Sequence, residues 1–161
     1  MKKKAIIVSI KGFKLSQKEK LLLSKEKPWG LILFKRNIKS YNQVKNLIKE
    51  IKRLSNDKKF PILIDEEGAS VSRLRKIFNH NLNASYFGNL FKKEPNIALA
   101  LYKHYLKSLC ENLKKIGVNI NTIPVLDILR KNTNRIIGNR SFSDNRDIVK
   151  ELGKITVKEC H

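Results

Sequence analysis

The chain has 161 residues and a formal net charge of +21, with 35 Lys and Arg against 14 Asp and Glu. Its 41% hydrophobic and 30% charged residues mark one globular domain with a real core, which excludes a disordered chain, and no apolar run reaches the roughly 20 residues that cross a bilayer. The lysines are scattered over Lys11–Lys27, Lys45–Lys59, Lys92–Lys115 and Lys150–Lys158 without interleaved aromatics. That pattern predicts no specific nucleic-acid partner, although salt-sensitive, nonspecific adhesion to polyanions fits the charge.

The chain opens with Met1-Lys2-Lys3-Lys4 and the apolar stretch Ala5–Ile10. The apolar part is too short for a signal peptide, Lys11 interrupts it and no small-residue cleavage site follows, so it reads as a buried strand behind a basic tip. Ser16 and Glu19 form a capping-box pattern that opens a helix to about Ser24. Gly30–Phe34 is the second strand. Ser40 and Gln43 repeat the capping pattern, and Val44, Leu47, Ile48, Ile51 and Leu54 then draw one apolar stripe. The third strand, Ile62–Asp65, is followed by a long helix over Ile97–Ile116, with Leu101, Tyr105, Leu109 and Leu113 on its inner face.

Val118–Asp127 is the fourth strand, and Gly30 and Gly117 suit the helix-to-strand turns. A last helix begins near Asp144, which is placed to cap it with Asp147 three residues on; Ile148, Val149, Leu152 and Ile155 form its apolar face. Short all-apolar strands of this kind are expected to be buried on both faces. The alternation predicts an α/β fold with a parallel sheet, the first four βα units of a TIM (β/α)₈ barrel, in a single partial domain over residues 1–161. A complete barrel usually takes about 250 residues.

Parallel α/β folds place polar sites at the C-terminal ends of their strands, and here Ile62-Leu63-Ile64 runs straight into Asp65, Glu66, Glu67 and Gly68. Asp65 and Asp127 each end a strand. Two carboxylates at neighbouring strand tips can grip sugar hydroxyls, bind a divalent cation or share acid–base work; alternatively each caps its loop or pairs with an arginine. Glu66 reads as a solvated turn charge. Arg73, Arg75 and Arg140 are the candidate counter-charges, because a guanidinium holds a hydroxyl or carboxylate in a fixed plane.

His80, His104 and His161 form no catalytic or metal-binding set, and His104 reads as a surface or half-buried residue. The histidines and cysteines supply no metal-ligand pattern, and no cofactor is expected. No GxSxG, P-loop or GxGxxG motif is present, which argues against serine hydrolysis, P-loop nucleotide chemistry and dinucleotide binding. Cys110 and Cys160 lack metal-ligand spacing and read as reduced thiols of a cytoplasmic protein rather than as a disulfide.

Four segments together resemble the N-terminal barrel domain of glycoside hydrolase family 3, in its bacterial β-N-acetylhexosaminidase branch. They are WGLILFKRNI (Trp29–Ile38), PILIDEEGASVSRLR (Pro61–Arg75), GVNINTIPVLDI (Gly117–Ile128) and IIGNRSFSDN (Ile136–Asn145), in the family's order and spacing. The resemblance implies retaining hydrolysis of terminal N-acetylglucosamine from peptidoglycan fragments. It implies that Asp65 holds sugar hydroxyls, that Arg73 and Arg140 accompany it, and that Asp127 and Glu67 are supporting carboxylates.

The sequence also departs from the pattern. The family reads Asp-x-Glu-Gly-Gly-Arg where this chain has Ala69-Ser70 in place of the second glycine and the arginine. The family's Lys-His-Phe-Pro-Gly-His-Gly-type segment, with its His/Asp acid–base loop, and the later nucleophilic aspartate have no counterpart, and His161 is not a substitute. The expectation is therefore a sugar-binding half without catalytic residues, inactive alone. The alternative is a non-catalytic half-barrel that binds a sugar or a partner. The open strand edges further predict self-association or pairing with a complementary C-terminal half.

Overall fold

The computed structural model describes residues 3–160; the basic tip at residues 1–2 and His161 lie outside them. The elements run β1 (Lys4–Val8), α1 (Gln17–Leu21), β2 (Pro28–Leu33), α2 (Tyr41–Leu54), β3 (Ile62–Ile64), α3 (Ala84–Lys93), α4 (Pro95–Ile116), β4 (Ile120–Asn121) and α5 (Arg146–Glu159). The residues fall into two compact units. The first runs to Asp65 and adds Arg73–Asn79 and Asn112–Asn121; the second holds Glu66–Ser72, His80–Glu111 and the chain from Thr122 onward.

The first unit contains the whole sheet, in the order β1-β2-β3-β4 with every pairing parallel. Its centre is hydrocarbon: Leu31, Leu33, Ile62 and Ile64 are fully buried. The expected capping box forms at α1, where Ser16 accepts from the Glu19 N–H at 3.3 Å and the Glu19 carboxylate accepts from the Ser16 N–H at 2.7 Å. A π-helical turn, Leu22–Glu26, extends this helix. Ser40 caps α2 as predicted, but Gln43 reaches back to the Lys39 N–H (2.8 Å) rather than to that of Ser40. Val44, Leu47, Ile48 and Ile51 of the α2 stripe are buried.

Two expectations about the strands fail. β1 is not buried on both faces: Ile6 and Ile7 are 47% and 48% exposed, because β1 is an edge strand with a sheet neighbour on one side only. The fourth strand is only Ile120–Asn121; among the described residues no ladder continues from Thr122, and Pro124 has no N–H to give to one. Asn119 compensates for the short strand. Its side-chain oxygen accepts from the Ile62 N–H at 2.7 Å, its amide group donates to the Phe60 carbonyl at 3.1 Å, and its own N–H donates to the Ile62 carbonyl. Gly117, at φ +99°, makes the turn into β4, and Lys52 donates to its carbonyl at 2.8 Å.

The second unit is helical. Its core joins Phe87 of α3, Tyr102 and Leu106 of α4, Phe142, and Ile148, Val149 and Leu152 of α5. Phe87 and Tyr102 lie 4.6 Å apart between ring centroids, and Phe142 meets Tyr102 edge-on at 5.6 Å. Helix α3 has no counterpart among the predicted elements. The buried stripe of α4 is Ala98, Tyr102, Leu106, Leu109, Leu113 and Ile116, whereas Leu101 is 46% exposed. The inner face is thus rotated from the predicted one at its N-terminal end. The cap of α5 is Asn145, whose side chain accepts from the N–H groups of Asp147 and Ile148; Asp144 instead pairs with Lys92 at 2.6 Å.

Candidate functional site

In the first unit, β3 is three fully apolar residues with no room for charge, so the first polar side chain falls where the strand ends, at Asp65. Arg73 meets it, Nη2 to Oδ2, at 3.0 Å. The next residue anchors the arginine: Leu74 is 1% exposed, and its carbonyl accepts from the N–H groups of Ile77 and Phe78 at 2.8 Å, making a tight turn. The Arg73 guanidinium also lies 5.9 Å from the Phe34 ring, and the Arg36 guanidinium stands 4.6 Å over the same ring. The Asp65 and Arg73 side chains keep 22% and 27% of their surface accessible, enough for a hydroxyl-bearing ligand to reach both.

In the second unit, Glu67 and Arg140 form a two-pronged pair, Nε to Oε2 at 2.8 Å and Nη2 to Oε1 at 2.9 Å. Such a fork–fork contact fixes the plane of the guanidinium as well as its position. Arg140 sits on a 3₁₀ turn, Gly138–Arg140. The neighbouring Asn139 accepts from Ser70 Oγ at 2.7 Å, and Asn83 accepts from the Ser70 N–H at 2.9 Å. The serine that replaces the expected arginine therefore ties its loop down. Arg75 is exposed, as is His104.

Asp127 is not at a strand tip, because β4 ends at Asn121. Its side chain is exposed, and it is its carbonyl that accepts from the Ser141 hydroxyl. Glu66 also differs from expectation: it is fully buried, not a solvated turn charge. His80 Nε2 lies 2.7 Å from Glu66 Oε1, and the Tyr105 hydroxyl lies 2.9 Å from His80 Nδ1. The two contacts join Glu66, His80 and Tyr105 in one hydrogen-bonded chain, with the imidazole between a carboxyl group and a phenol. Burial disfavours a phenolate at Tyr105, and the nearby Tyr102 and Glu66 add to this, so the hydroxyl stays protonated. No spacing rule announces this chain of groups. Its members come from a strand end, a loop and a helix.

Burial raises the Tyr102 phenol in the same way, with the hydroxyl bonded to Thr156 Oγ1 at 2.6 Å acting against that rise. A phenol raised on folding stabilises the native state fully below the unfolded value near 10, and that contribution is lost as pH climbs past it. In an alkaline titration, phenolate absorbance from these two tyrosines should appear only together with the loss of helical circular dichroism. Two phenolates appearing before unfolding would contradict the geometry. Among the described residues, no group of three or more His, Cys, Asp or Glu is placed to hold a metal ion, and no helix is long and apolar enough to cross a membrane.

The family model of the glycosyl hydrolase family 3 N-terminal domain matches residues 2–161. The chain is 31% identical over 156 residues to a beta-hexosaminidase of Xanthomonas axonopodis pv. citri (strain 306), which covers 97% of this chain and 46% of that protein. A beta-hexosaminidase of Stenotrophomonas maltophilia (strain R551-3) is 30% identical over the same length. The fold is similar to the crystal structure of native NagZ from Neisseria gonorrhoeae, with a TM-score of 0.90 at 29% identity, over 98% of this chain and 46% of that one. A family 3 beta-N-acetylglucosaminidase from Paenibacillus sp. str. FPU-7 gives a TM-score of 0.80 at 25% identity, over 96% of this chain and 29% of that one. The chain spans about half the length of the curated relatives it matches. The expected α/β class, with the N-terminal βα units of a (β/α)₈ barrel, agrees with these likenesses.

Proposed function

The chain belongs to glycosyl hydrolase family 3, as its N-terminal domain, and from that membership we propose that its residues serve the retaining hydrolysis of terminal N-acetylglucosamine from peptidoglycan fragments in the cytoplasm. Asp65 takes the sugar hydroxyls, and Arg73 and Arg140 assist in binding. Glu67 holds Arg140 in plane, and Asp127 supports its loop through the main chain. The observation that carries this reading is the Asp65–Arg73 pair at 3.0 Å: a carboxylate at a strand exit, held by an arginine yet accessible. A carboxylate with fixed lone pairs accepts from two vicinal hydroxyls, which is what a pyranose offers.

Residues 1–161 contain no segment of the Lys-His-Phe-Pro-Gly-His-Gly type. Retaining cleavage needs a nucleophile and an acid–base group flanking the scissile bond. The reading is therefore that these residues bind sugar without cleaving it. With a chromogenic N-acetylglucosaminide the isolated chain should show no turnover, while saturation-transfer NMR should detect bound N-acetylglucosamine that is lost in Asp65→Ala. Turnover would overturn the binding-only reading, and an unchanged NMR signal in Asp65→Ala would remove Asp65 from the site.

The exposed Ile6 and Ile7 of β1 favour a second reading, in which the unit pairs with another copy or a complementary half through this edge. Sedimentation at increasing concentration distinguishes that reading from a lone monomer.

A further inference from the structure

Cys110 and Cys160 stand 50 residues apart in sequence, yet the Cys110 thiol donates to Cys160 Sγ at 3.0 Å. Both belong to the second unit and both are half-buried reduced thiols. Their elements explain the meeting. Cys110 follows Leu109 on the buried side of α4, and Cys160 is the C-terminal cap of α5, its N–H donating to the Thr156 carbonyl at 3.1 Å. Thr156 is in turn bonded to Tyr102, two helical turns before Cys110 on α4, so the end of α5 is already tied to the helix that carries the other thiol. Two sulfurs held this close need about 1 Å of further approach to become a covalent pair, a matter of side-chain rotation. Among the described residues, no third His, Cys, Asp or Glu joins them as a metal-binding group.

The geometry points to a redox modification site: the Cys110 and Cys160 thiols form an intramolecular disulfide on exchange with a small disulfide such as oxidised glutathione. One protein thiolate attacks a glutathione sulfur, the glutathione S–S bond breaks, and one glutathione thiolate leaves, giving a mixed disulfide. The second protein thiolate attacks the protein sulfur of that mixed bond and expels the other glutathione. Two protein thiols are oxidised, one glutathione disulfide is reduced, and the two protons pass to the two departing glutathione thiolates. Under strongly reducing conditions the pair stays as thiols; under oxidising conditions the bond fastens the end of α5 to α4. This site stands apart from the proposed sugar-binding role, and its test does not depend on that role.

The test uses the purified full chain, either reduced or treated with excess oxidised glutathione. The thiol titre should fall from two to none, the intact mass by about 2 Da, and a peptide map under non-reducing conditions should join the Cys110 and Cys160 peptides in a monomer. Because the bond closes a loop of this length, the melting temperature should rise on the order of 10 °C. Cys160→Ser should lose both the mass change and the shift. A retained titre of two, a lasting glutathione adduct, or a disulfide-linked dimer would each overturn the proposal, and the wild-type measurements stand whether or not the variant folds.

Discussion

Gly88→Ala should unfold the second unit. A Cβ built at Gly88 would lie 1.7 Å from the Phe142 carbonyl oxygen and 2.6 Å from its carbon, both main-chain atoms that no side-chain rotation can clear. Helix α3 approaches the 142 backbone this closely because Phe87 and Phe142 share one core, and glycine is the residue that lets them meet. Ordinary overpacking costs about 1–3 kcal/mol; here α3 or the Phe142 segment must move as a whole, so the loss should exceed about 4 kcal/mol. The expected result is insoluble protein, or a melting temperature lowered by roughly 10 °C or more. Gly12→Ala is the control, since nothing lies within 4 Å of its added Cβ. A Gly88→Ala protein that melts like wild type would show that α3 does not pack as described.

His80→Ala should be the second severe change. Glu66 is fully buried, the His80 side chain is 6% exposed, and the two meet at 2.7 Å. Removing His80 takes away a hydrogen-bond partner that the buried Glu66 was folded around and leaves a cavity where the imidazole stood, and together such losses run to about 3–5 kcal/mol. Two further variants separate this from simple cavity formation. His80→Gln keeps a donor able to reach Glu66 and should recover part of the loss. Adding Glu66→Gln to His80→Ala removes the buried carboxylate and should also recover part of it. Urea denaturation of the set measures these differences. If the double variant were as unstable as His80→Ala plus the full cost of Glu66→Gln, the two groups would not be coupled.

Much of the fold is legible locally. The Ser16–Glu19 capping box, the Ser40 cap and the α2 stripe each depend on residues three or four apart, and all of them form. The acidic exit from β3 is legible for the same reason: an apolar strand followed at once by charge needs no distant partner to be recognised. Glu66 escapes such reading because its burial depends on His80 and Tyr105, which no local rule ties to it. Helix α3 escapes it because Gly88 weakens the helical pattern while serving a contact with Phe142, 54 positions away. The phase of α4 is ambiguous in sequence because Leu99, Leu101, Tyr102, Tyr105 and Leu106 place apolar groups on several faces, and only tertiary packing selects the buried one. Asp65, Glu67, Arg73 and Arg140 each stand out in the sequence, but which carboxylate meets which guanidinium within each unit does not.

The Asn119 side chain has a consequence for how the sheet finds its alignment. A strand of two residues carries too little alternation to choose its own pairing, and a slip of one position would normally go uncorrected. Here the choice rests on one amide that offers a donor and an acceptor in the same sense as a peptide group. Slipping the chain by one residue would bring Val118 or Ile120 to that place, and neither hydrocarbon can satisfy the Ile62 N–H or the Phe60 carbonyl. Each group left unmet would cost about 1–3 kcal/mol. Asn119 thus works as a key cut for a single lock position, supplying by chemistry the alignment that length supplies in longer strands.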